Sequence, residues 1–402
     1  MIEIAGSAVP EGHPRKFYRF LRGQKHLLQH VKDTYTKDAD KPTVWLHASS
    51  LGEYSIARPL IAELKNHGMQ IVFTFFSPTG YEALKDNHPN IDYLYYLPFD
   101  TNKNAKAFLD IIRPSKALFI VSEYWFNYLH VLKERNIDTY LVSAKITRKS
   151  IFYKWYGWLY RKCLPIYKYF FVINKESVAN LKEFGCHNAA VCGNPLFDNA
   201  KQKALEPWSD PVIERFCKGR NVFIAGSIHD DNDLKLVSDL ANHNRDTKFI
   251  FVPHEISEKS TNRIVDSLQG KTLIHSQCRA DTDMSDAQVL IVDFVGALAH
   301  IYRYGKWAYV GGGFTKYLHS LIEATVYGLP VAFGPNTFRK VTPQQIEARG
   351  LGKSLSTSTE LNDWFLSLKD APEKLDEISR KAKEYVDANL GSTKKIVDKI
   401  LQ

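Results

Sequence analysis

The feature that most constrains the fold is a repeated alternation of short apolar runs with amphipathic helical stretches. In the first half, the apolar runs are rich in β-branched and aromatic residues, and they begin at Thr43, Gln70, Lys116, Asp138 and Tyr169. Each run is apolar on both faces, and helical stretches such as IARPLIAELKNHG separate them. Strands of this kind, joined by helices, are typical of a parallel sheet that is covered by helices on both sides.

The same alternation restarts at Asn221 with NVFIAGS and continues through TKFIFVP, AQVLIVD, WAYVGGG and LPVAFGP. A chain of 402 residues is also too long for one small core. We therefore predict an α/β protein with two Rossmann-like domains, each a doubly wound parallel sheet, and a cleft between them. The predicted divisions are a domain over 1–198, a polar linker over 199–216, a domain over 217–385, and a C-terminal helix over 386–402 that could pack back on the first domain.

The composition restricts the class of protein. Hydrophobic residues make up 44% of the chain and charged residues 24%, as in globular proteins. No run approaches the roughly 18 apolar residues of a membrane-spanning helix, and the first residues lack the apolar core of a signal peptide. The five cysteines form no CxxC pair, which is typical of reduced thiols in a cytosolic protein.

The net charge of +9 is concentrated in the first half. Through Asp198 there are 26 Lys and Arg against 18 Asp and Glu, whereas the remainder has 27 against 26. From Thr139 to Lys175 there are eight basic residues, no acid and many interleaved aromatics. This mixture suits an anionic membrane interface or single-stranded nucleic acid. The alternative is that the aromatics are core residues and the basic side chains form a solvated face.

Two carboxylates follow predicted strands in the first half. Glu53 comes after HASSLG at the start of a helix, where the helix dipole is expected to keep it ionised, as a general base requires. Glu123 follows KALFIVS and precedes Trp125. For both residues the alternative is an ordinary helix-capping role.

The second half contains a candidate nucleotide site. Gly311, Gly312 and Gly313 follow a predicted strand and would let a ligand approach the backbone closely. His319 and Ser320 are expected at the start of a helix, where free N–H groups suit a phosphate, and Glu323 one turn later suits ribose hydroxyls. Three further polar side chains follow strand ends: Ser227, His229 and His254. The glycines do not form GxGxxG, so dinucleotide binding is not supported.

Taken in order, the motifs HASSLGE, SEYWFNY, SAKITRKS, GNPLFD, AGSIHDD, VPHE, VGGGF, LHSLIEA and GLPVAFGP resemble the 3-deoxy-D-manno-octulosonic acid (Kdo) transferases of lipopolysaccharide synthesis. The resemblance runs from Trp45 to Pro335. It implies the GT-B architecture, CMP-Kdo as donor, a lipid A precursor as acceptor, and no metal or other cofactor. It also implies a peripheral position at the anionic cytoplasmic face of the bacterial inner membrane.

The resemblance also implies roles for individual residues. Glu53 becomes the general base on the acceptor hydroxyl, and Glu123 the second carboxylate on the acceptor side. The implied donor site comprises Ser227, His229, His254, Gly311, Gly312, Gly313, His319, Ser320 and Glu323. The implied acceptor and membrane side comprises Ser50, Gly52, Lys145, Arg148, Lys149, Lys154, Arg161 and Lys162.

The chain departs from the family pattern at several positions. Many members have Pro-Arg-His where this chain has Pro253-His254-Glu255, and His-Asn where it has His319-Ser320. Many also begin with an apolar anchor helix, so either a preceding segment has been removed or the chain attaches peripherally. The alternatives are another GT-B enzyme that uses a UDP-sugar, as transferase or epimerase, and an inactive membrane-associated homologue. No nucleic-acid-binding motif is present, so nucleic acid is not an expected partner.

Overall fold

The computed structural model describes residues 16–315, 318–337 and 340–402. The chain forms two compact units: one extends to Asn199 and also contains Asn389–Gln402, and the other is Ala200–Ala388. The segment 199–216, expected as a linker, is largely helical. Its second helix forms because the Asp210 side chain accepts hydrogen bonds from the backbone N–H groups of Val212 and Ile213.

The first unit is a seven-stranded, wholly parallel sheet with helices on both faces. Its strands are β1 (Thr43–Ala48), β2 (Gln70–Phe75), β3 (Tyr93–Tyr96), β4 (Lys116–Ile120), β5 (Asp138–Ala144), β6 (Tyr169–Val172) and β7 (Ala189–Val191). Its helices are α1 (Lys16–Gln24), α2 (Leu27–Thr34), α3 (Leu51–Asn66), α4 (Pro78–Leu84), α5 (Asn102–Ile112), α6 (Phe126–Glu134), α7 (Trp158–Arg161), α8 (Lys175–Glu183) and α9 (Leu196–Leu205), which contains the boundary between the units.

The strand order of this sheet is β3-β2-β1-β4-β5-β6-β7. All six residues of β1 are buried, which is why its sequence is apolar on both faces. β1 pairs with β2 on one side and with β4 on the other. The order therefore reverses between β1 and β4, and in open α/β sheets ligands bind at such a point, beyond the carboxyl ends of the strands.

The C-terminal helix, Ser392–Leu401, belongs to the first unit. Its Ile396, Val397 and Ile400 are fully buried in the same apolar cluster as Leu60 of α3. The Asp198 carboxylate fixes the start of the helix, because it accepts hydrogen bonds of 2.7 Å from the N–H groups of Gly391 and Thr393.

The second unit is also a seven-stranded parallel sheet, ordered β10-β11-β9-β8-β12-β13-β14. Its strands are β8 (Val222–Ile228), β9 (Lys248–Pro253), β10 (Thr272–Ile274), β11 (Val289–Ile291), β12 (Trp307–Val310), β13 (Val331–Phe333) and β14 (Gly352–Ser354). Its helices are α10 (Pro211–Cys217), α11 (Asp231–His243), α12 (Glu258–Asp266), α13 (Leu298–Ile301), α14 (Ile322–Thr325), α15 (Val341–Ala348), α16 (Ser358–Lys369) and α17 (Pro372–Asp387). Here the reversal falls between β8 and β12.

The sequence pattern missed the short edge strands β3, β7, β10 and β14, which have only three or four residues each. So short a run carries too little periodicity to be recognised, and neighbouring strands supply its hydrogen bonds. None of the helices in the described ranges combines the length and the apolarity needed to span a bilayer.

Candidate functional site

The two carboxylates singled out in the first half meet at the reversal point of the first sheet. Glu53 follows β1 and Glu123 follows β4, and these strands are neighbours. The backbone N–H of Ser49 donates to Glu123 at 3.2 Å, and the next N–H, that of Ser50, donates to Glu53 at 2.9 Å. Two adjacent backbone groups at the end of β1 therefore hold the pair together.

Glu53 makes the capping interactions that were the alternative to a catalytic role. It is the third residue of α3 and forms a reciprocal capping box with Ser50. Glu53 can cap the helix and also act as a base, because the bonds from the Ser50 N–H and hydroxyl both go to one oxygen, Oε2. Burial raises the pKa of Glu53, and the hydrogen bonds from Ser50 oppose the shift. The sequence argument considered only the helix dipole at this position, whereas burial acts in the opposite direction.

Glu123 is almost fully buried and is surrounded by hydrogen-bond donors. Its Oε2 accepts a 2.5 Å bond from the indole N–H of Trp125, and Nε2 of His47 lies 3.6 Å from the same oxygen. Burial and then the charge of Glu53 raise its pKa from 4.5 to about 7. The two carboxyl groups therefore form an interacting pair, in which the charge of one affects the pKa of the other.

The backbone before Glu123 is strained. Val121, directly after β4, has φ +73, a left-handed conformation that a β-branched residue rarely adopts. The hydroxyl of Tyr167 donates to the Glu123 carbonyl oxygen and helps to fix this turn. Strain of this kind is typical of functional sites, where the surrounding structure holds a side chain in place.

A pocket of about 560 Å³ opens beside Glu123. Its polar lining includes Asp100, Lys145 and Ser150, and much of the remainder is aromatic. Burial lowers the pKa of Lys145. The volume lies within the range of pockets that hold small ligands or headgroups.

The basic, aromatic window from 139 to 175 divides into two parts. Phe152, Tyr167 and Phe170 are core residues, as the alternative interpretation expected. Trp155 and Trp158, in contrast, are 89% and 53% exposed, and Tyr156 and Leu159 are exposed with them. These exposed residues lie in α7 and directly before it, and Leu159 also lines the pocket beside Glu123.

The basic residues predicted for the acceptor side have different environments. Lys154, Arg161 and Lys162 are exposed among these aromatics, and Lys162 Nζ lies 4.7 Å from the centre of the Trp158 ring. Arg148 instead forms a two-pronged ion pair with Glu183, at 2.6 and 2.5 Å. Its charge is therefore already balanced within the protein.

Of the remaining acceptor-side residues, Lys149 is exposed in a turn between β5 and α7. A Cβ on Gly52, the second residue of α3, would lie 4.0 Å from Ser50 Oγ, an ordinary van der Waals contact. The basic stretch that precedes β1 begins at His13, and its residues 13–15 lie outside the described part of the chain. In the described part, Arg22 and Lys25 line a second pocket, of about 730 Å³.

In the second unit, the glycine turn after β12 packs closely against the backbone of neighbouring segments. A Cβ on Gly311 would lie 2.1 Å from the Ser227 carbonyl oxygen, and one on Gly313 would lie 2.5 Å from the Gly334 backbone. These glycines are thus required by neighbouring backbone, whereas the sequence argument assigned them to ligand approach alone.

Asp233 holds this turn, and sequence reasoning missed it. Its buried carboxylate accepts bonds from the Tyr309 hydroxyl at 2.6 Å, the Gly312 N–H at 2.7 Å and the His229 N–H at 3.0 Å. It therefore ties the end of β12 to the end of β8. The available signal was an acid one helical turn after the cap Asp230, at the end of HDDND.

Three predicted histidines come together beside this turn. The rings of His229 and His254 stack at 4.7 Å, and those of His254 and His319 lie 4.6 Å apart. Burial, and then the neighbouring His254 and Lys340, lower the pKa of His319 to about 3. Burial also lowers the pKa of His254. The lowered pKa values favour the neutral form of the His254 and His319 rings near pH 7.

The local structure around His319 differs from the prediction. The helix that follows, α14, begins only at Ile322 and has four residues, so His319 and Ser320 do not open a long helix with free N–H groups. The His319 N–H instead donates to the Gly311 carbonyl oxygen at 3.1 Å. Within the described residues, His319 Nε2 and Ser320 Oγ are buried without a hydrogen-bond partner, which is unusual for buried polar atoms.

The other predicted donor residues are placed as follows. Ser227 is buried at the end of β8 with φ +55. Glu323 is half-buried in α14, and burial raises its pKa while Lys203 opposes the shift. Among the residues that the structure describes, no group of three or more His, Cys, Asp or Glu side chains is arranged to hold a metal ion.

The fold has relatives among solved structures. A UDP-GlcNAc 2-epimerase from Neisseria meningitidis, bound to UDP-GlcNAc, aligns over 89% of this chain and 99% of its own with a TM-score of 0.65 and 16% identity. MurG from Acinetobacter baumannii aligns over 90% and 99%, with a TM-score of 0.54 and 14% identity. Two doubly wound units of this kind define the GT-B class, shared by glycosyltransferases and epimerases.

Sequence comparison is more specific. A family model described as 3-deoxy-D-manno-octulosonic-acid transferase (kdotransferase) matches residues 22–199. The 3-deoxy-D-manno-octulosonic acid transferase of Aquifex aeolicus is 30% identical over 80% of this chain and 84% of its own. That of Haemophilus influenzae is 24% identical over 88% and 86%. The chain belongs to the 3-deoxy-D-manno-octulosonic acid transferase family and is a glycosyltransferase.

Proposed function

We propose that this protein transfers Kdo from CMP-Kdo to a lipid A precursor, with inversion at the anomeric carbon and Glu53 as general base. The observation that carries the proposal is the convergence of Glu53 and Glu123 at the reversal point of the first sheet, beside a pocket of about 560 Å³. The identity of the transferred sugar is proposed from family membership, and the general-base chemistry is proposed from this pair of carboxylates.

The proposed step is a single displacement. An acceptor hydroxyl oxygen attacks the anomeric carbon of Kdo while Glu53 takes the hydroxyl proton. The bond from the anomeric carbon to the phosphate oxygen breaks, and CMP leaves with the electron pair. Because burial raises the pKa of Glu53, its proton affinity lies closer to that of an efficient base at neutral pH.

The acceptor is proposed to bind in the first unit. The pocket beside Glu123 would hold the sugar headgroup, with Lys145 of its lining facing a phosphate. The exposed Trp155 and Trp158, with the surrounding cations, would lie in the headgroup layer of an anionic membrane. This is the basis for proposing peripheral attachment to the inner membrane.

The donor is proposed to bind in the second unit. The unpartnered Nε2 of His319 and Oγ of Ser320 would face the anionic groups of CMP-Kdo, and Glu323 would accept bonds from the ribose. A neutral, buried imidazole would gain a proton when an anion binds beside it. The leaving group is a monophosphate, so we propose that the transfer needs no metal ion.

Incubation with CMP-Kdo and tetra-acylated lipid A precursor, followed by mass spectrometry of the lipid, tests the proposal. The Glu53→Gln variant should lose about 10²–10⁴-fold in turnover while it still binds CMP. Glutamine preserves the capping box, so α3 should remain folded.

The matched control is Glu360→Gln, because Glu360 occupies the same position in the capping box of α16. It should leave turnover unchanged. Near-normal turnover in Glu53→Gln would refute the base assignment. Stronger thermal stabilisation by UDP than by CMP would favour a UDP-sugar enzyme instead.

A further inference from the structure

His47 lies inside the carboxylate site and was not assigned a role by the sequence. It is on β1, fully buried, with its ring packed edge-on against Phe119 and Trp125 at 6.0 and 5.5 Å. Among the described residues, its Nε2 has no hydrogen-bond partner within bonding distance, yet Glu123 Oε2 is 3.6 Å away. Buried polar atoms are rarely left unpaired without a functional reason.

Thr74 on β2 determines which ring nitrogen of His47 carries the proton. The indole N–H of Trp45, which can only donate, bonds to Thr74 Oγ1 at 2.9 Å, so the hydroxyl oxygen accepts there. The hydroxyl proton then has two acceptors: His47 Nδ1 at 2.8 Å or the Leu46 carbonyl oxygen at 3.5 Å. The shorter contact favours Nδ1, which leaves the neutral ring protonated on Nε2.

The surroundings of Nε2 favour the same tautomer. An unprotonated Nε2 would direct its lone pair at a carboxylate oxygen, whereas a protonated one can donate to it. Burial lowers the pKa of His47 to about 3, so the ring is neutral over the physiological range. The contact of 3.6 Å is longer than a hydrogen bond, as is common at catalytic sites before substrate binds.

We propose that His47 is a positioning residue of the carboxylate pair: Thr74 holds it as the tautomer protonated on Nε2, and this N–H stabilises the ionised form of Glu123 and orients it beside Glu53. The inference rests on the proposed function, in which Glu53 is the base. A negative charge retained on Glu123 increases the proton affinity of Glu53. With Trp125 and Ser49, His47 completes a set of donors around Glu123.

The groups that face the contact between His47 and Glu123 come from β2, β4 and α3 and from the adjoining pocket. β2 presents the Thr74 hydroxyl and a backbone hydrogen-bonding group of the same residue to the imidazole, and β4 presents the Phe119 ring. Glu53, at the start of α3, acts on Glu123. Asp100 and Lys145 line the adjoining pocket.

The first experiment measures the tautomer directly and needs no activity. Long-range ¹H–¹⁵N correlation spectra of histidine-labelled wild-type protein, assigned with His47→Gln, report which ring nitrogen is protonated. We expect protonation at Nε2 in the wild type and in Thr74→Ser, and its loss or mixing in Thr74→Val. Protonation at Nδ1, or at both nitrogens, in the wild type at pH 7.5 would overturn the proposal.

The second experiment separates positioning from a merely structural role. His47→Leu should lower kcat about 10–100-fold and move the acidic limb of the kcat/KM profile to higher pH, because Glu123 loses a donor. His47→Gln, whose amide can donate to Glu123, should restore most of the rate and the original limb. An equal loss at every pH, with no recovery in His47→Gln, contradicts the proposal. If the wild type does not transfer Kdo, the proposed function fails, but the tautomer measurement still stands.

Discussion

The carboxyl of Glu123 should make the wild-type protein less stable as the pH rises, and Glu123→Gln should abolish this effect. The carboxyl of Glu123 is buried, and burial together with the Glu53 charge raises its pKa from 4.5 to about 7. In the unfolded chain the same group has its ordinary pKa. Between these pH values the unfolded chain has released its proton while the folded protein keeps it.

The sign and size of the effect follow from proton linkage. Because the folded state binds more protons than the unfolded state over this range, the free energy of unfolding falls as the pH rises from about 4.5 to 7, and it is constant above that. At 1.36 kcal/mol per pH unit, the shift corresponds to a loss of about 3 kcal/mol. For a unit of this size, that is a change of about 6–12 °C in melting temperature.

The assay is differential scanning calorimetry of wild type and Glu123→Gln between pH 4.5 and 8.5. The amide of the variant will face some of the donors that now bind the carboxylate, which costs stability at every pH. The informative quantity is therefore the change with pH in the difference between the melting temperatures of the two proteins. The melting temperature of the variant, relative to wild type, should rise by about 6–12 °C across this range.

The control is Glu360→Gln. Glu360 is exposed, and hydrogen bonds from the Ser356 backbone lower its pKa, so its stabilising effect is lost as the pH falls rather than as it rises. Its difference from wild type should not increase with pH. A flat or falling difference for Glu123→Gln would refute the inference that the folded site holds Glu123 at a raised pKa.

Three further predictions concern other parts of the chain. Trp155→Ala with Trp158→Ala should weaken co-sedimentation with anionic vesicles and leave transfer to a detergent-dispersed acceptor intact; unchanged sedimentation would show that these side chains do not contact the membrane. Asp233→Asn, which offers a donor to the N–H groups it now accepts from, should lower stability by about 1–3 kcal/mol in denaturant unfolding and weaken CMP binding by calorimetry. Gly311→Ala should be destabilised by more than about 1 kcal/mol because of the Ser227 carbonyl oxygen, whereas Gly52→Ala, whose Cβ would make only an ordinary contact with Ser50 Oγ, should keep or gain stability; equal melting temperatures would contradict the packing described.

The sequence was sufficient for the fold class, because strands buried on both faces are mostly apolar along their length. β1 and β8 are wholly buried, and their sequences show it. The places where a strand ends and a polar residue begins could also be read directly. This is why Glu53, Glu123 and His254 were identified as candidates before their neighbours were known.

The sequence could not show which of these residues meet. Glu53 and Glu123 are 70 positions apart, and only the pairing of β1 with β4 brings them to one edge of the sheet. His47 was overlooked because a histidine inside a strand has no local signature, and its tautomer depends on Thr74 in another strand.

The electrostatic state of the site was also decided by tertiary structure. The helix dipole at Glu53 is a local property that the sequence predicts, and on its own it favours an ionised carboxylate. Burial raises the pKa of Glu53, and the amount of burial depends on which elements pack around the side chain. In the second unit, α14 likewise proved too short to provide the helix N-terminus that the sequence led us to expect at His319. Periodicity along the chain therefore determined the elements and where they end, whereas strand order and packing determined which charges face one another and how strongly each proton is held.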